Sequence, residues 1–277
     1  MSSNFANLPK DLKYWQKQDH VALFQNLDWN FPEQKTDTIA VIGGNSQNFR
    51  VPVRLSEYLT KFPFKNITSI LPDALRPKFP DHLPNLIFTP STESGSFAES
   101  PLFEDSAASA DFAIFAGDLT KNSITAITVS KALTKILSPD SNSHGAIITR
   151  DAVDLLTPEI GSFLNSEQLF IIASMSQLQK IFRSVYYPKM IMLSQPLLPT
   201  IETLHKFTLS YATTILTFHE GQIIVASHGQ ISTTPIMNTT YNPISIWNGE
   251  LVAKVACFNL WNPGRPFESA TSAILYV

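Results

Sequence analysis

The chain sets short, almost uninterrupted apolar runs between stretches of helical spacing, and each run stops at a turn of small or polar residues. Thr38–Ile42 (TIAVI) ends in Gly43-Gly44, Phe112–Ala116 (FAIFA) in Gly117-Asp118, Gly145–Thr149 (GAIIT) in Arg150-Asp151, and Leu169–Ala173 (LFIIA) in Ser174. Apolar runs of that length bounded by turns mark strands buried on both faces. Between them, Val53–Lys61 and Asn122–Leu137 carry helical spacing. The second has Ile124, Ile127, Leu133, Ile136 and Leu137 on its apolar points, with Asn122 or Ser123 as the cap. Strands alternating with helices make βαβ units, and therefore a mostly parallel sheet between helical layers.

The remaining segments fill in this plan. Asn66–Leu71 and Asn85–Thr89 are short strand candidates, and Thr200–Leu209 is a helix candidate. Thr213–Phe218 and Gln222–Ser227 flank His219-Glu220-Gly221 and read as an antiparallel edge pair. Gly249–Asn259 and Phe267–Tyr276 are the final helices, joined by Asn262-Pro263-Gly264. Pro90–Ser109 is rich in Ser and Glu and reads as an exposed loop. At the start, Leu12, Trp15, Val21, Phe24 and Leu27 outline an amphipathic helix over Asp11–Leu27, followed by a polar connector over Asn30–Lys35. The expected organisation is a helical arm and connector over residues 1–35 and a single α/β domain over 36–277, a size such domains reach as one unit.

Composition excludes several classes of partner. Lys and Arg total 20 against 23 Asp and Glu, a net charge of −3 with no basic run, so neither nucleic acid nor an anionic membrane is an expected partner. No apolar stretch of about 18 residues spans a membrane, and Met1–His20 lacks the layout of a signal peptide. One cysteine, Cys257, fits a reducing compartment, and a cytoplasmic location is expected. The six histidines show no ligand spacing, so no metal-binding residues are assigned. No G-x-S-x-G nucleophile elbow occurs. Glycine numbers only 10, about half of ordinary usage, although loops that cradle phosphate need backbone N–H groups at close range.

Ligands in open parallel sheets sit beyond the carboxyl ends of the strands. Gly43-Gly44-Asn45, Gly117-Asp118, Arg150-Asp151, Ser174-Met175 and the turn at Gly249 stand there. Each can also serve the fold alone. Gly43-Gly44 can be a tight turn. Asp118 can be an exposed acid at a strand end. Asp151, Asp154 and Glu250 can be acids that suit a helix start. His219, Glu220 and His228 read as solvated.

Taken in order, these segments resemble the ADP/ATP-dependent NAD(P)H-hydrate dehydratase family of the ribokinase-like superfamily, over about Thr38–Val277. The resemblance rests on IAVIGGN (Ile39–Asn45), FAIFAGDLTKN (Phe112–Asn122), GAIITRDAVDLL (Gly145–Leu156), ILTFHEGQIIVASHG (Ile215–Gly229) and the closing stretch Asn248–Val277 with its PFESA. It implies a ribokinase-like three-layer α/β/α sandwich, with a mostly parallel sheet and an antiparallel edge pair. It also implies phosphorylation of hydrated NADH or NADPH followed by loss of phosphate, using ADP or ATP with Mg2+. The family's base sits in a Gly-(Thr/Ser)-Gly-Asp turn, which here reads Trp247-Asn248-Gly249-Glu250. By that correspondence Glu250 is the catalytic candidate. Asn248, Gly249, Gly117, Asp118, Asp151, Gly43 and Gly44 are the cofactor-binding candidates.

The motifs depart from the family's pattern in the loops. Trp247 replaces a glycine, Thr149 replaces the first acid of the Asp-Ala-Asp motif, and Ala173–Leu178 replaces a Thr-Pro-His-Pro-Gly-Glu segment. Glu250 carries one methylene more than the family's Asp, and a shift of about 1 Å can cost about 100-fold. Three readings follow. In the first, a weak or inactive relative binds a nucleotide or small molecule, its pocket narrowed by Trp247 and Phe218. In the second, an active dehydratase or kinase uses Glu250 as base, the Asn248–Gly249 N–H groups as anion hole, and Asp118 and Asp151 near metal or substrate. In the third, an interaction protein forms homo-oligomers through Trp15 and Trp261; homo-oligomerisation is expected from the resemblance in any case.

Overall fold

The computed structural model describes residues 9–16, 29–33, 37–79, 85–236 and 249–275. In chain order the elements are β1 (Lys13–Gln16), β2 (Thr38–Gly43), α1 (Arg50–Leu59), β3 (Asn66–Pro72), β4 (Leu86–Thr89), α2 (Pro101–Ala108), β5 (Phe112–Gly117), α3 (Ser123–Ile136), β6 (Ala146–Thr149), α4 (Asp151–Leu156), β7 (Leu169–Ile172), α5 (Met175–Ser184), α6 (Leu197–Ser210), β8 (Thr214–His219), β9 (Gln222–Ser227), β10 (Gln230–Pro235), α7 (Glu250–Trp261) and α8 (Pro266–Leu275). Short 3-10 turns cover Asp73–Lys78 and Thr157–Ser162. Among the described residues the strands form one ten-stranded sheet in the order β1-β10-β9-β8-β7-β6-β5-β2-β3-β4. The β8–β9 and β9–β10 pairs are antiparallel and every other pair is parallel.

Three layers follow from the alternation of side chains along each strand. In β5, Ala113 and Phe115 point into a core shared with α2, α3, α4, α5 and α6. Phe112, Ile114 and Ala116 point into the opposite core, shared with α1, α7 and α8. All five are fully buried. The α/β sandwich with a mostly parallel sheet is therefore as the sequence implies.

The capping of α3 also agrees, since Asn122 accepts the Thr125 N–H at 2.8 Å. Four segments differ. Lys13–Gln16 is a strand, not part of a helix, and it pairs in parallel with β10 from Lys13↔Gln230 to Gln16↔Thr233. Tyr14 and Trp15 are good strand formers, and the free edge of β10 supplies backbone partners that a local helix does not need. The rest of the expected arm helix, residues 17–27, lies outside the described residues. β10 itself is absent from the sequence reading because its Ser and Thr residues look like loop; with β1 it leaves the β8–β9 pair inside the sheet. Pro90–Ser109 is not an exposed loop: it contains α2, opened by Ser100-Pro101, and Phe97 and Phe103 are fully buried with ring centroids 4.7 Å apart.

The fourth segment is α5. It is announced by a capping box in which Ser174 Oγ accepts the Gln177 N–H at 3.3 Å and Gln177 Oε1 accepts the Ser174 N–H at 3.0 Å. Trp261 is no surface anchor, because it is buried and stacks on Phe64 at 5.5 Å. α7 is buried on all sides. Phe31 packs edge-on against Phe258 at 5.2 Å, and the Asn30 N–H donates to Asn262 Oδ1 at 2.8 Å.

Candidate functional site

Strand order reverses between β2 and β5: the chain steps from β2 outward to β3 and β4, then returns to β5 on the other flank. Open α/β sheets hold ligands beyond the strand ends at such a switch point. Gly43-Gly44 leaves β2 there, Gly117-Asp118 leaves β5, and Arg150-Asp151 leaves neighbouring β6. The structure thus brings five of the cofactor-binding candidates to one edge: Gly43, Gly44, Gly117, Asp118 and, one strand over, Asp151, with Arg150 before it.

Hydrogen bonds stitch this crevice together. The Gly44 N–H donates to Gly117 O at 3.0 Å, and Asn45 Nδ2 donates to Asp118 O at 2.6 Å. Asp118 is not an exposed acid; only 2% of its surface is accessible. Its Oδ2 accepts the Val51 N–H at 2.9 Å, and its Oδ1 accepts Asn48 Nδ2 at 3.0 Å and Arg150 Nη2 at 3.2 Å. The carboxylate therefore caps the start of α1, where the helix dipole favours an anion. Gly43 must be glycine for contact alone, since a Cβ there would lie 2.4 Å from Gly117 O.

The conformation is tight throughout. Asp118 has φ +57° and Gly117 φ +95°. Arg150 stands at φ +54°, ψ −128°, a combination that side-chain-bearing residues rarely adopt. Its side chain lies across the β5 turn, because a Cβ on Gly117 would come 2.9 Å from Arg150 Cβ. Gln177 Nε2 donates to Arg150 O at 2.7 Å and approaches Asp154 Oδ2 at 3.3 Å.

Asp151 and Asp154 share the first turn of α4, where acids suit the helix dipole. Asp154 also receives Lys180 Nζ at 2.6 Å and Lys121 Nζ at 3.3 Å. Burial works to raise its carboxyl pKa, but the two ammonium groups outweigh it and hold the group below the ordinary value. Asp151 is half-buried, and among the described residues no side-chain hydrogen bond to it occurs.

Gly249 and Glu250 lie elsewhere. Gly249, at φ +107°, is pressed on α1, where a Cβ would stand 3.2 Å from Leu55 Cδ1. Tyr58 Oη donates to Glu250 Oε1 at 2.9 Å, and Lys254 Nζ is 3.4 Å from the same oxygen. The Asp118 carboxylate meets the Val51 N–H at the start of α1, and the Glu250 carboxylate meets the hydroxyl of Tyr58, a residue near its end. The structure does not join Glu250 to the Asp118 cluster. Asn248 and Trp247 lie outside the described residues. Phe218 is half-buried against the core beneath α7 and α8.

Sequence reasoning set Asn45 and Arg150 at the strand ends without giving them a role, and missed Asn48 and the buried Lys254 beside Glu250. A polar residue between an apolar strand and a helix start was the available signal for Arg150. For Lys254 the signal was a single cation inside an otherwise apolar helix. His219 is buried, with Nε2 2.6 Å from Gln195 O, and is not solvated. Glu220 does face solvent and accepts the Leu197 N–H at the start of α6 at 3.1 Å. Among the described residues no group of three or more His, Cys, Asp or Glu is placed to hold a metal ion. Among them also, no helix is long and apolar enough to cross a membrane.

No protein-family model matches the chain, and no curated protein matches it in sequence. Solved structures do resemble it. A ribokinase-like superfamily protein from Enterococcus faecalis superposes with a TM-score of 0.67 at 13% identity, over 94% of this chain and 84% of that one. The ADP/ATP-dependent NAD(P)H-hydrate dehydratase from Bacillus subtilis, co-crystallised with ATP/Mg2+, gives 0.53 at 12% identity over 96% and 87%. Adenosine kinase from Trypanosoma brucei brucei gives 0.51 at 10% identity over 95% and 96%. At such identities the likeness speaks for architecture alone, and by that likeness the chain has the ribokinase-like fold.

Proposed function

We propose that the chain is a NAD(P)H-hydrate dehydratase-like member of the ribokinase-like group that binds a nucleotide or another small molecule, with catalysis weak or lost. One observation carries the reading: both oxygens of Asp118 are engaged, at the place where this fold receives its ligand. A base that takes a proton from a hydroxyl needs a lone pair within reach of it. Three of the roughly four lone-pair sites of the Asp118 carboxylate are taken, and one oxygen of Glu250 is held by both Tyr58 and Lys254.

The same test applies to ADP or ATP with Mg2+. The donors that could cradle phosphate at the switch point are the Gly44 and Val51 N–H groups and the Asn45 and Asn48 amides. All four are bonded to Gly117 or Asp118. In this closed arrangement they do not fit a triphosphate. Binding requires the crevice to open.

The thermal midpoint with millimolar Mg-ATP or Mg-ADP tests the reading. A ligand at 100 times its Kd adds about 2.7 kcal/mol to the folded state. The midpoint is expected to rise with at least one nucleotide, while conversion of hydrated NADH stays the same in wild type and Glu250→Gln. Conversion that Glu250→Gln abolishes would make the chain an active enzyme. No shift with either nucleotide would end the nucleotide reading.

A second reading, an interaction surface between copies of the chain, is favoured by the loop after α5. Tyr186 is 93% exposed, and Met192 and Leu193 are more than half exposed. Its test is the mass in solution by light scattering.

A further inference from the structure

His205 lies on α6 with only 1% of its surface exposed, and both of its ring nitrogens face oxygen acceptors. Nδ1 is 2.7 Å from Gly229 O, in the turn before β10. Nε2 is 3.3 Å from Asp11 Oδ2, two residues ahead of β1. A carbonyl and an ionised carboxylate only accept, so each nitrogen must carry a hydrogen for both bonds to form. A neutral imidazole carries one. The full set therefore exists only when the ring is an imidazolium.

A ring that gives up its proton keeps one bond of the two. The bond to Gly229 is the one it keeps, because Gly229 is buried, whereas the Asp11 side chain is 69% exposed and turns to water. The bond that is lost anchors a lightly held segment. β1 is four residues long, stands at the end of the sheet and pairs with β10 over four register positions, helped by Tyr14 Oη and Thr233 Oγ1 at 3.0 Å. Leu12 and Tyr14 are partly buried against one core and Trp15 against the other. Trp15 Nε1 is buried without a hydrogen-bond partner, a cost that docking of the strand carries.

Neighbouring charges do not replace the Asp11 contact. Lys206, next on α6, pairs with Glu202 at 2.9 Å; its ammonium is held above the ordinary pKa by Glu202 first and, to smaller degrees, by Tyr187 and Asp11. His228, in the turn before β10, faces Glu167 at 3.4 Å. Lys10 and Lys13 flank Asp11 and are exposed. β9 and β10 carry no charged residue, and His219 of β8 bonds Gln195 O ahead of the start of α6.

We propose that His205 is a proton-controlled latch for the N-terminal strand: β1 stays on the edge of β10 while the imidazolium holds Asp11, and it is released as the ring gives up its proton. Release bares the backbone groups along the edge of β10. The latch is independent of any ligand at the strand ends.

Hydrogen exchange of the full chain tests this, read by mass spectrometry on peptides covering residues 9–16 and expressed as protection relative to the unfolded chain at the same pH. Histidine trades its ring proton between about pH 5 and 8. Protection of β1 should fall about three- to tenfold from about pH 5.5 to about pH 8.5, between the effect of an exposed ion pair and that of a hydrogen bond to a charged group. Protection of β5 should hold and reports that the sandwich is intact. Asp11→Asn offers an amide N–H to the neutral Nε2, so its β1 should stay protected at both pH values. Asp11→Ala should show the weak, high-pH level of protection throughout. Equal protection of β1 in wild type at both pH values overturns the latch, and so does a fall of the same size in Asp11→Asn.

Discussion

Replacing Asp118 by alanine should cost stability, and the structure allows the amount to be worked out. Its carboxylate accepts the Val51 N–H at the start of α1 at 2.9 Å, a capping bond of the kind typically worth about 1 kcal/mol. The Asn48 amide at 3.0 Å is a hydrogen bond to a charged acceptor, roughly 1.5 kcal/mol. The Arg150 pair at 3.2 Å is partly screened, because 28% of the arginine side chain meets solvent, and about 0.5–1 kcal/mol is a fair allowance. Asp118→Ala should therefore lose about 3 kcal/mol, read as urea midpoint times slope, or a fall of about 6 °C in Tm for a chain of this size. Asp118→Asn keeps an oxygen for Val51 but turns an amide toward other donors, so about 2 kcal/mol is expected. A double-mutant cycle with Asn48→Ala should return a coupling of about 0.5–1.5 kcal/mol. An acid standing free in a ligand site would behave otherwise, changing stability by no more than about 0.5 kcal/mol. A loss below about 1 kcal/mol for Asp118→Ala would refute the capping role.

Three further outcomes follow from single residues. Asp154 has its carboxyl pKa held below 3.8, so its stabilisation is complete above that value and is lost as pH falls through the lower folded value. The urea midpoints of wild type and Asp154→Asn should differ near about pH 6 and converge as pH falls through the lowered folded value; a gap that persists in acid would show another cause. Burial pushes the Cys257 thiol well above its usual pKa, so an aromatic disulfide reagent should label it at least ~100-fold more slowly than an open thiol until the chain unfolds. Gly43→Ala would set a Cβ 2.4 Å from Gly117 O and should cost over about 2 kcal/mol, whereas Gly221→Ala meets nothing within 4 Å and should cost only about 1 kcal/mol for its φ of +74°.

The parts of the molecule legible in the sequence are those set by local rules. β5 and β6 are visible because every residue of FAIFA and AIIT is buried, and so short a run without polar interruption suits a strand covered on both faces. α3 is visible because periodicity and its Asn122 cap agree. β1 and β10 were not legible, because each is a strand only by virtue of its neighbour: Tyr14 Oη and Thr233 Oγ1 meet at 3.0 Å across 219 residues of chain. α5 was legible in principle, since Ser174 and Gln177 spell a capping box, but a search for phosphate-loop glycines looks past it. The candidate site was half legible. The strand-end rule located Gly43, Gly44, Gly117 and Asp118 on one edge, while the burial of Asp118 depends on where the start of α1 lands, which no local pattern encodes.

The pairing of the acids bears on what the fold has kept. A phosphoryl-transfer site leaves polar groups at the strand ends unpaired until substrate arrives, and that readiness lowers stability. Here Asp118 strengthens the start of α1, Asp154 ties the loop before α3 to α4 and α5 through Lys121, Gln177 and Lys180, and Glu250 joins α1 to α7 through Tyr58. Each interaction that stabilises the sandwich removes a lone pair that chemistry would need. The pairing is least complete at Thr149 and Arg150, the two residues whose orphaned atoms sit beside the crevice.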